Sequence, residues 1–154
     1  MIMAKKIKYK PKGFTRHHKA HVLNALKGRT YKPKKLIYEQ IYDKLEKIGI
    51  LKLKPGQYTK LKSRAFMDLA VEHLYRNVFS LTHYYKQGGD LVPDPDMQIR
   101  VMPEGKMAEA MSYQDTYGYR QVYSDGKVDL KAKKELNAFL NKWLSNLIRQ
   151  GFKY

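Results

Sequence analysis

Between Asp129 and Gly151 the chain carries its strongest folding instruction. Ala132, Leu136, Phe139, Leu140, Trp143, Leu144 and Leu147 recur three and four residues apart, so a helix gathers them into one broad apolar stripe. Asp129 can cap the start by accepting a backbone N–H, and Gly151 can end it. A stripe that wide, holding the only tryptophan, needs a flat apolar partner. The simplest partner is one face of an antiparallel sheet, which makes the expected fold class α+β.

The candidate strands lie between Phe79 and Ser124. β-Branched and aromatic content rises over 79–85, and Gly88-Gly89-Asp90 breaks it. Pro93 and Pro95 predict a short extended linker. Residues 98–102 and 107–113 then pair through the turn Pro103 to Lys106, and 119–124 follows a loop at 115–118. The expectation is an antiparallel meander of about four strands packed against the long C-terminal helix, with two N-terminal helices. The first of these covers 33–48, with Ile37, Tyr38, Ile41, Leu45 and Ile48 on one face and Gly49 as its stop. The second covers about 61–77, with Phe66, Met67, Ala70, Val71, Leu74 and Val78 on one face. Between them, 50–54 alternates as a short strand before a Pro55-Gly56 turn. Glu109 shares a strand face with Met107 and Met111, so either it is a buried partnered acid or Ala108 and Ala110 face inward; the second reading is adopted.

Length and charge bound what such a fold can do. A chain of 154 residues suits a single domain, here 33–154, preceded by a basic tail over 1–32 expected to be largely disordered alone. Cysteine is absent, which excludes disulfides and thiolate chemistry. No secretory leader or run of about 20 apolar residues is visible, so the expectation is a cytoplasmic protein with no membrane partner. The formal charge is +17, and it is segregated: residues 1–35 hold twelve Lys and Arg and 50–64 hold five, neither with an acid. A near-neutral domain with two basic segments predicts a polyanion partner, DNA or RNA, bound electrostatically with low sequence specificity. The candidate nucleic-acid-binding residues are Lys5, Lys6, Lys8, Lys10, Lys12, Arg16 and Lys19 in the tail and Lys52, Lys54, Lys60, Lys62 and Arg64 in the second segment. Tyr9, Phe14 and Tyr31, set among the tail cations, could stack on bases. His17, His18 and His21 invite a metal reading, but the surrounding cations repel one and no carboxylate lies within the segment.

The stretch 79–97, FSLTHYYKQGGDLVPDPDM, concentrates polar chemistry that core packing does not explain. Its candidate polar site is His83, Tyr84, Tyr85, Gln87, Asp90, Asp94 and Asp96. Asp90, Asp94 and Asp96 could supply oxygen ligands to magnesium, and with Glu104 and Lys106 they loosely imitate the order of a metal-dependent nuclease. Glu104-Gly105-Lys106 reads as a turn, however, and aspartates beside Gly and Pro commonly cap turns. No metal and no cofactor is therefore assigned. The words AFMDLAVEHL, SLTHYYKQGGDL and DPDM resemble an uncharacterised domain family of bacterial mobile elements and phages, with a motif like S-L-x-H-Y-Y-x-Q-x-G-D-L-x-x-D-P-x-M, over about residues 33–125. Gly88 and Asp96 depart mildly from it. The resemblance implies a mobile-element context, and it makes His83, Tyr84, Tyr85, Gln87, Asp90, Asp94 and Met97 the positions of interest. No Gly-x-Ser-x-Gly elbow, phosphate-binding loop or His-Glu-x-x-His helix is present. The expected function is a small non-enzymatic nucleic-acid-binding accessory protein. The alternatives are an inhibitor or adaptor working through a protein partner, or a metal-dependent nuclease.

Overall fold

The computed structural model describes residues 34–154. Lys5, Lys6, Lys8, Lys10, Lys12, Arg16 and Lys19, the histidines at 17, 18 and 21, and Tyr9, Phe14 and Tyr31 lie outside the described residues. The elements in chain order are helix α1 (Ile37–Ile48), a 3-10 turn (Ile50–Lys52), strands β1 (Tyr58–Leu61), β2 (Leu69–Tyr75), β3 (Val78–Gln87), β4 (Asp90–Met102), β5 (Met107–Gln114), β6 (Tyr119–Gln121), β7 (Tyr123–Ser124) and β8 (Lys127–Val128), and helix α2 (Leu130–Arg149). The fold is α+β. Strands β1 to β6 form one antiparallel sheet in sequence order, and β7 and β8 form a separate small hairpin.

Helix α2 forms as its stripe requires. Asp129 accepts a 2.9 Å hydrogen bond from the Ala132 N–H, and Leu136, Leu140, Trp143, Leu144 and Leu147 are buried. Phe139 departs from the expected core: it is 40% exposed, with its ring edge-on to Tyr113 at 5.2 Å. Helix α1 starts later than 33, where Glu39 accepts from the Leu36 N–H, and it buries Ile41, Leu45 and Ile48. Gly49 ends it with φ +93°, and a Cβ there would stand 3.2 Å from the Tyr154 carbonyl oxygen. The two helices are joined by Lys44 Nζ to Asn141 Oδ1 at 2.5 Å and by Asn141 Nδ2 to Gln40 Oε1 at 3.1 Å. With the inward sheet residues Leu69, Val71, Leu81, Met97 and Ile99 they enclose one core.

Two expectations about the N-terminal half are corrected. Residues 61–77 are not a second helix; they hold the end of β1, a turn and β2. Leu69, Val71 and His73 face the core while Glu72 is exposed, so the period is two rather than 3.6. Phe66 and Met67, assigned to the helical stripe, are 47% and 50% exposed. Pairing with β1 on one side and β3 on the other satisfies the β2 backbone and overrides local helical preference. Residues 50–54 are likewise not a strand. Lys52 N–H bonds to Gly49 O and Leu53 N–H to Ile50 O, closing a 3-10 turn, and the strand begins at Tyr58 after the turn at Pro55 and Gly56. With β1 and β2 included, the meander has six strands rather than about four.

The stretch over Pro93 and Pro95 belongs to the thirteen-residue strand β4 rather than to a linker, and the β3–β4 register shifts between Thr82 and Tyr84. A second shift lies between Gln98 and Ile99 where β4 meets β5. Strand β6 pairs only with Ser112 to Gln114, so it does not reach Ala110. There the buried Asn137 of α2 accepts the Ala110 N–H at 2.8 Å and donates to the Lys133 carbonyl at 2.7 Å.

Candidate functional site

Three groups of polar residues come out of this frame. The first is the stretch singled out in the sequence, which the structure distributes rather than gathers. His83 is buried on the core side, with Nδ1 3.0 Å from the Asp68 carbonyl and its ring beside Trp143 and Phe152. Asp96 lies on the other face, accepting from Thr82 at 2.9 Å and Ser80 at 3.2 Å. Gln87 and Asp90 pair across the Gly88-Gly89 turn, whose φ values of +59° and +91° suit a tight hairpin. Tyr84 is exposed on β3. Tyr85 and Asp94 do meet, through Thr116: its hydroxyl donates to Asp94 at 3.0 Å and accepts from the Tyr85 hydroxyl at 2.7 Å, with Gln87 Oε1 3.3 Å from that phenol oxygen. Beside them Tyr113 donates to Asp115, which caps the β5–β6 loop through the Tyr117 and Gly118 N–H groups. Burial, the bond to Asp115 and the charges of Asp115 and Asp94 push the Tyr113 hydroxyl up to about 12. Among the described residues, no three His, Cys, Asp or Glu side chains stand where they could hold a metal ion.

The second group is the basic segment. Lys52, Lys54, Lys60, Lys62 and Arg64 are all exposed, and among the described residues none makes a side-chain hydrogen bond or ion pair. They flank β1, the outermost strand, with Tyr58 at 56% exposure and Phe66 beside them. Tyr58 and Lys60, two residues apart, share one face of that strand.

The third group went unassigned in the sequence, and Glu109 was its only signal. Ala108 and Ala110 do face the core, yet Glu109 is also buried, at 3% exposure, and it is partnered. Its Oε1 accepts from Nε and Nη2 of Arg100, its partner across the β4–β5 pair. Its Oε2 accepts from the Tyr123 hydroxyl at 2.6 Å, and Lys133 Nζ stands 3.6 Å away while donating to Tyr123 at 3.1 Å. Burial by itself would raise the carboxyl; the bonds from Tyr123 and Arg100 and the charges of Arg100 and Lys133 outweigh it and hold Glu109 below the usual range. The bond to Glu109 raises Arg100, and the bond to Tyr123 raises Lys133. Arg100 lies 5.0 Å from the Tyr123 ring centroid and Lys133 lies 5.6 Å from that of Tyr38. Strand β4, strand β5, the β7–β8 hairpin and both helices each supply a member, so only the folded chain assembles it.

A six-stranded antiparallel meander with helices on its core side defines an α+β domain bearing an exposed basic edge and a charge cluster around the buried Glu109. Residues 37–153 match the family described as Domain of unknown function (DUF6908), and the chain belongs to it. No curated protein and no solved structure matches the chain.

Proposed function

We propose that this chain is a small basic nucleic-acid-binding accessory protein, serving a mobile element or phage, that grips the backbone of DNA or RNA without reading sequence. The observation that carries the reading is the segment 50–64. Five cations there are exposed and have no acidic partner among the described residues, beside a short edge strand that presents Tyr58. Cations left unpaired by their own protein are available to phosphates, and each phosphate neutralised releases counterions. Tyr58, on the same strand face as Lys60, adds a flat surface for an unpaired base. The aspartates of 90–96 take no part in this reading: Asp94 accepts from Thr116, and Asp96 from Thr82 and Ser80.

The test is a salt series with the full chain against duplex DNA, single-stranded DNA and RNA, beside a Lys60→Ala, Lys62→Ala, Arg64→Ala variant. Affinity should fall steeply with salt, and the variant should flatten the slope by about one for each phosphate it no longer neutralises. Absence of binding to all three at low salt would overturn the reading and move a protein partner ahead. Better binding of single strands than of duplex would assign Tyr58 a stacking role, read by Tyr58→Ala.

A further inference from the structure

Arg100, Glu109, Tyr123 and Lys133 do more than neutralise one another, because they form one side of a cavity of about 410 Å³. Tyr38, Met102 and Met107 line the rest. That volume is in the range of small-molecule sites.

The hydrogen-bond inventory of the cavity is one-sided. Both Glu109 oxygens are taken, one by Arg100 and the other by Tyr123. The Tyr123 hydroxyl donates to Glu109 and accepts from Lys133. A guanidinium carries five N–H groups and an ammonium three. Arg100 uses its Nε–H and one Nη2–H here, and Lys133 uses one; the remainder meet no acceptor among the described residues. Two cations against one carboxylate leave one positive charge. The cluster thus offers donors and positive charge, with its carboxylate already spent. Both cations are within reach of solvent, since the Arg100 side chain is 43% exposed and that of Lys133 29%. A second opening, of about 380 Å³, adjoins Arg100 along Val78, Met102 and Met111, so Met102 borders both openings and Met107 the first alone. The surroundings are apolar and adaptable: methionine side chains re-pack at low cost, and tyrosine rings offer flat faces.

We propose that this cavity binds a small organic anion, one carboxylate or phosphate group on a flat apolar body. The anionic group lies against Arg100 and Lys133, and the body lies between Met102, Met107 and the two tyrosine rings. The site is separate from the basic edge at 50–64 and does not depend on the nucleic-acid reading. Net charge alone would attract anions anywhere on so basic a chain, so the readout must be local. Methionine supplies one: Met102 and Met107 line the cavity, whereas Met67 sits exposed beside the basic segment.

The experiment titrates the full chain, labelled with 13C at the methionine methyls, with benzoate and with phenyl phosphate, which offer no base to the basic edge, and repeats the titration with benzyl alcohol and phenol. Saturable shifts of the Met102 and Met107 methyls are expected with the anions only, with Met67 unmoved. Lys133→Leu should weaken binding at least about tenfold, equivalent to about 1.4 kcal/mol. Should that variant fold poorly, raising the salt to about 0.5 M on the unaltered chain should weaken the anion shifts, because screening shortens to a few ångström. The proposal is overturned by no shift at Met102 and Met107, by equal shifts with the neutral compounds, by undiminished binding in both Lys133→Leu and high salt, or by shifts at Met67 as large as those in the cavity.

Discussion

Replacing Glu109 by glutamine tests whether the carboxylate is a keystone of the fold as well as a wall of the cavity. The side chain is 5% exposed and accepts three hydrogen bonds, two from Arg100 and one from Tyr123. Glutamine keeps one carbonyl oxygen, which can still face Arg100, while its NH2 group can donate to the Tyr123 hydroxyl. Charge-assisted bonds contribute about 1.5–3 kcal/mol and neutral ones about 1, so converting them loses on the order of 2 kcal/mol. Glu109→Ala also strands the Arg100 and Tyr123 donors. Full breakage of a buried pair costs about 3–5 kcal/mol, but Arg100 is nearly half exposed and can turn to water, which brings the expectation down to about 3. Urea unfolding at pH 7 measures both. The pH dependence gives a second, signed check. The folded-state pKa of Glu109 lies below its unfolded value, so the carboxylate's stabilisation is present above the ordinary carboxyl range and is lost as pH falls through the folded value. The gap between the native chain and Glu109→Gln should therefore be widest near neutrality and shrink below about pH 4. A Glu109→Gln variant within about 0.5 kcal/mol of the native chain at pH 7, or a gap that ignores pH, would refute the assignment.

Trp143→Ala should cost about 3–5 kcal/mol in the same urea assay, since the ring fills the interface between α2 and the sheet; a loss below about 1 would place the helix outside the core. Gly49→Ala should destabilise by about 1–3 kcal/mol in a thermal melt, because it combines a left-handed backbone with a Cβ 3.2 Å from the Tyr154 carbonyl, and an unchanged melt would contradict that close approach. Tyr113 should ionise only near pH 12, visible as the part of the ultraviolet tyrosine titration that Tyr113→Phe removes, and Asp115→Asn should bring it down. Because the folded value is raised, whatever stability the neutral phenol contributes is present below the ordinary tyrosine range and lost as pH climbs through the folded value; a Tyr113 contribution titrating near 10 would contradict the Asp115 bond.

The parts of the fold that the sequence made legible are those whose instructions are local. The α2 stripe, its Asp129 cap and the turn from Pro103 to Lys106 each sit within a few residues of their partners, and each forms where expected. Strand β2 was hidden because Ala70, Val71, Leu74 and Val78 fit a helical face as well as Leu69, Val71 and His73 fit a strand face. What decides between them is pairing on both sides, with Tyr58 to Leu61 and with Val78 to His83, which the apolar spacing of 61–77 alone does not contain. The aspartates of 90–96 looked like one cluster because they are close in sequence and alternation alone would put Asp94 and Asp96 on one face, but the register shift between them sends Asp94 toward Thr116 and Asp96 toward Thr82. The charge cluster shows the converse. Arg100, Tyr123 and Lys133 are ordinary one by one, and only the odd placement of Glu109 between two inward alanines pointed to them.

Asn137 sits where β5 outruns β6 and takes the Ala110 N–H that a further strand would otherwise claim. A side-chain amide thus stands in for a neighbouring strand and seals that stretch of the sheet against recruitment by another molecule. Among the described residues, the two outermost strands are only four and three residues long, and one of them carries Lys60. A sheet finished this way offers little template for edge-to-edge pairing. Asn137→Leu, which keeps helix α2 over this stretch but removes the amide, would leave the buried Ala110 N–H without its acceptor, and a thermal melt should show a loss of about 1–3 kcal/mol.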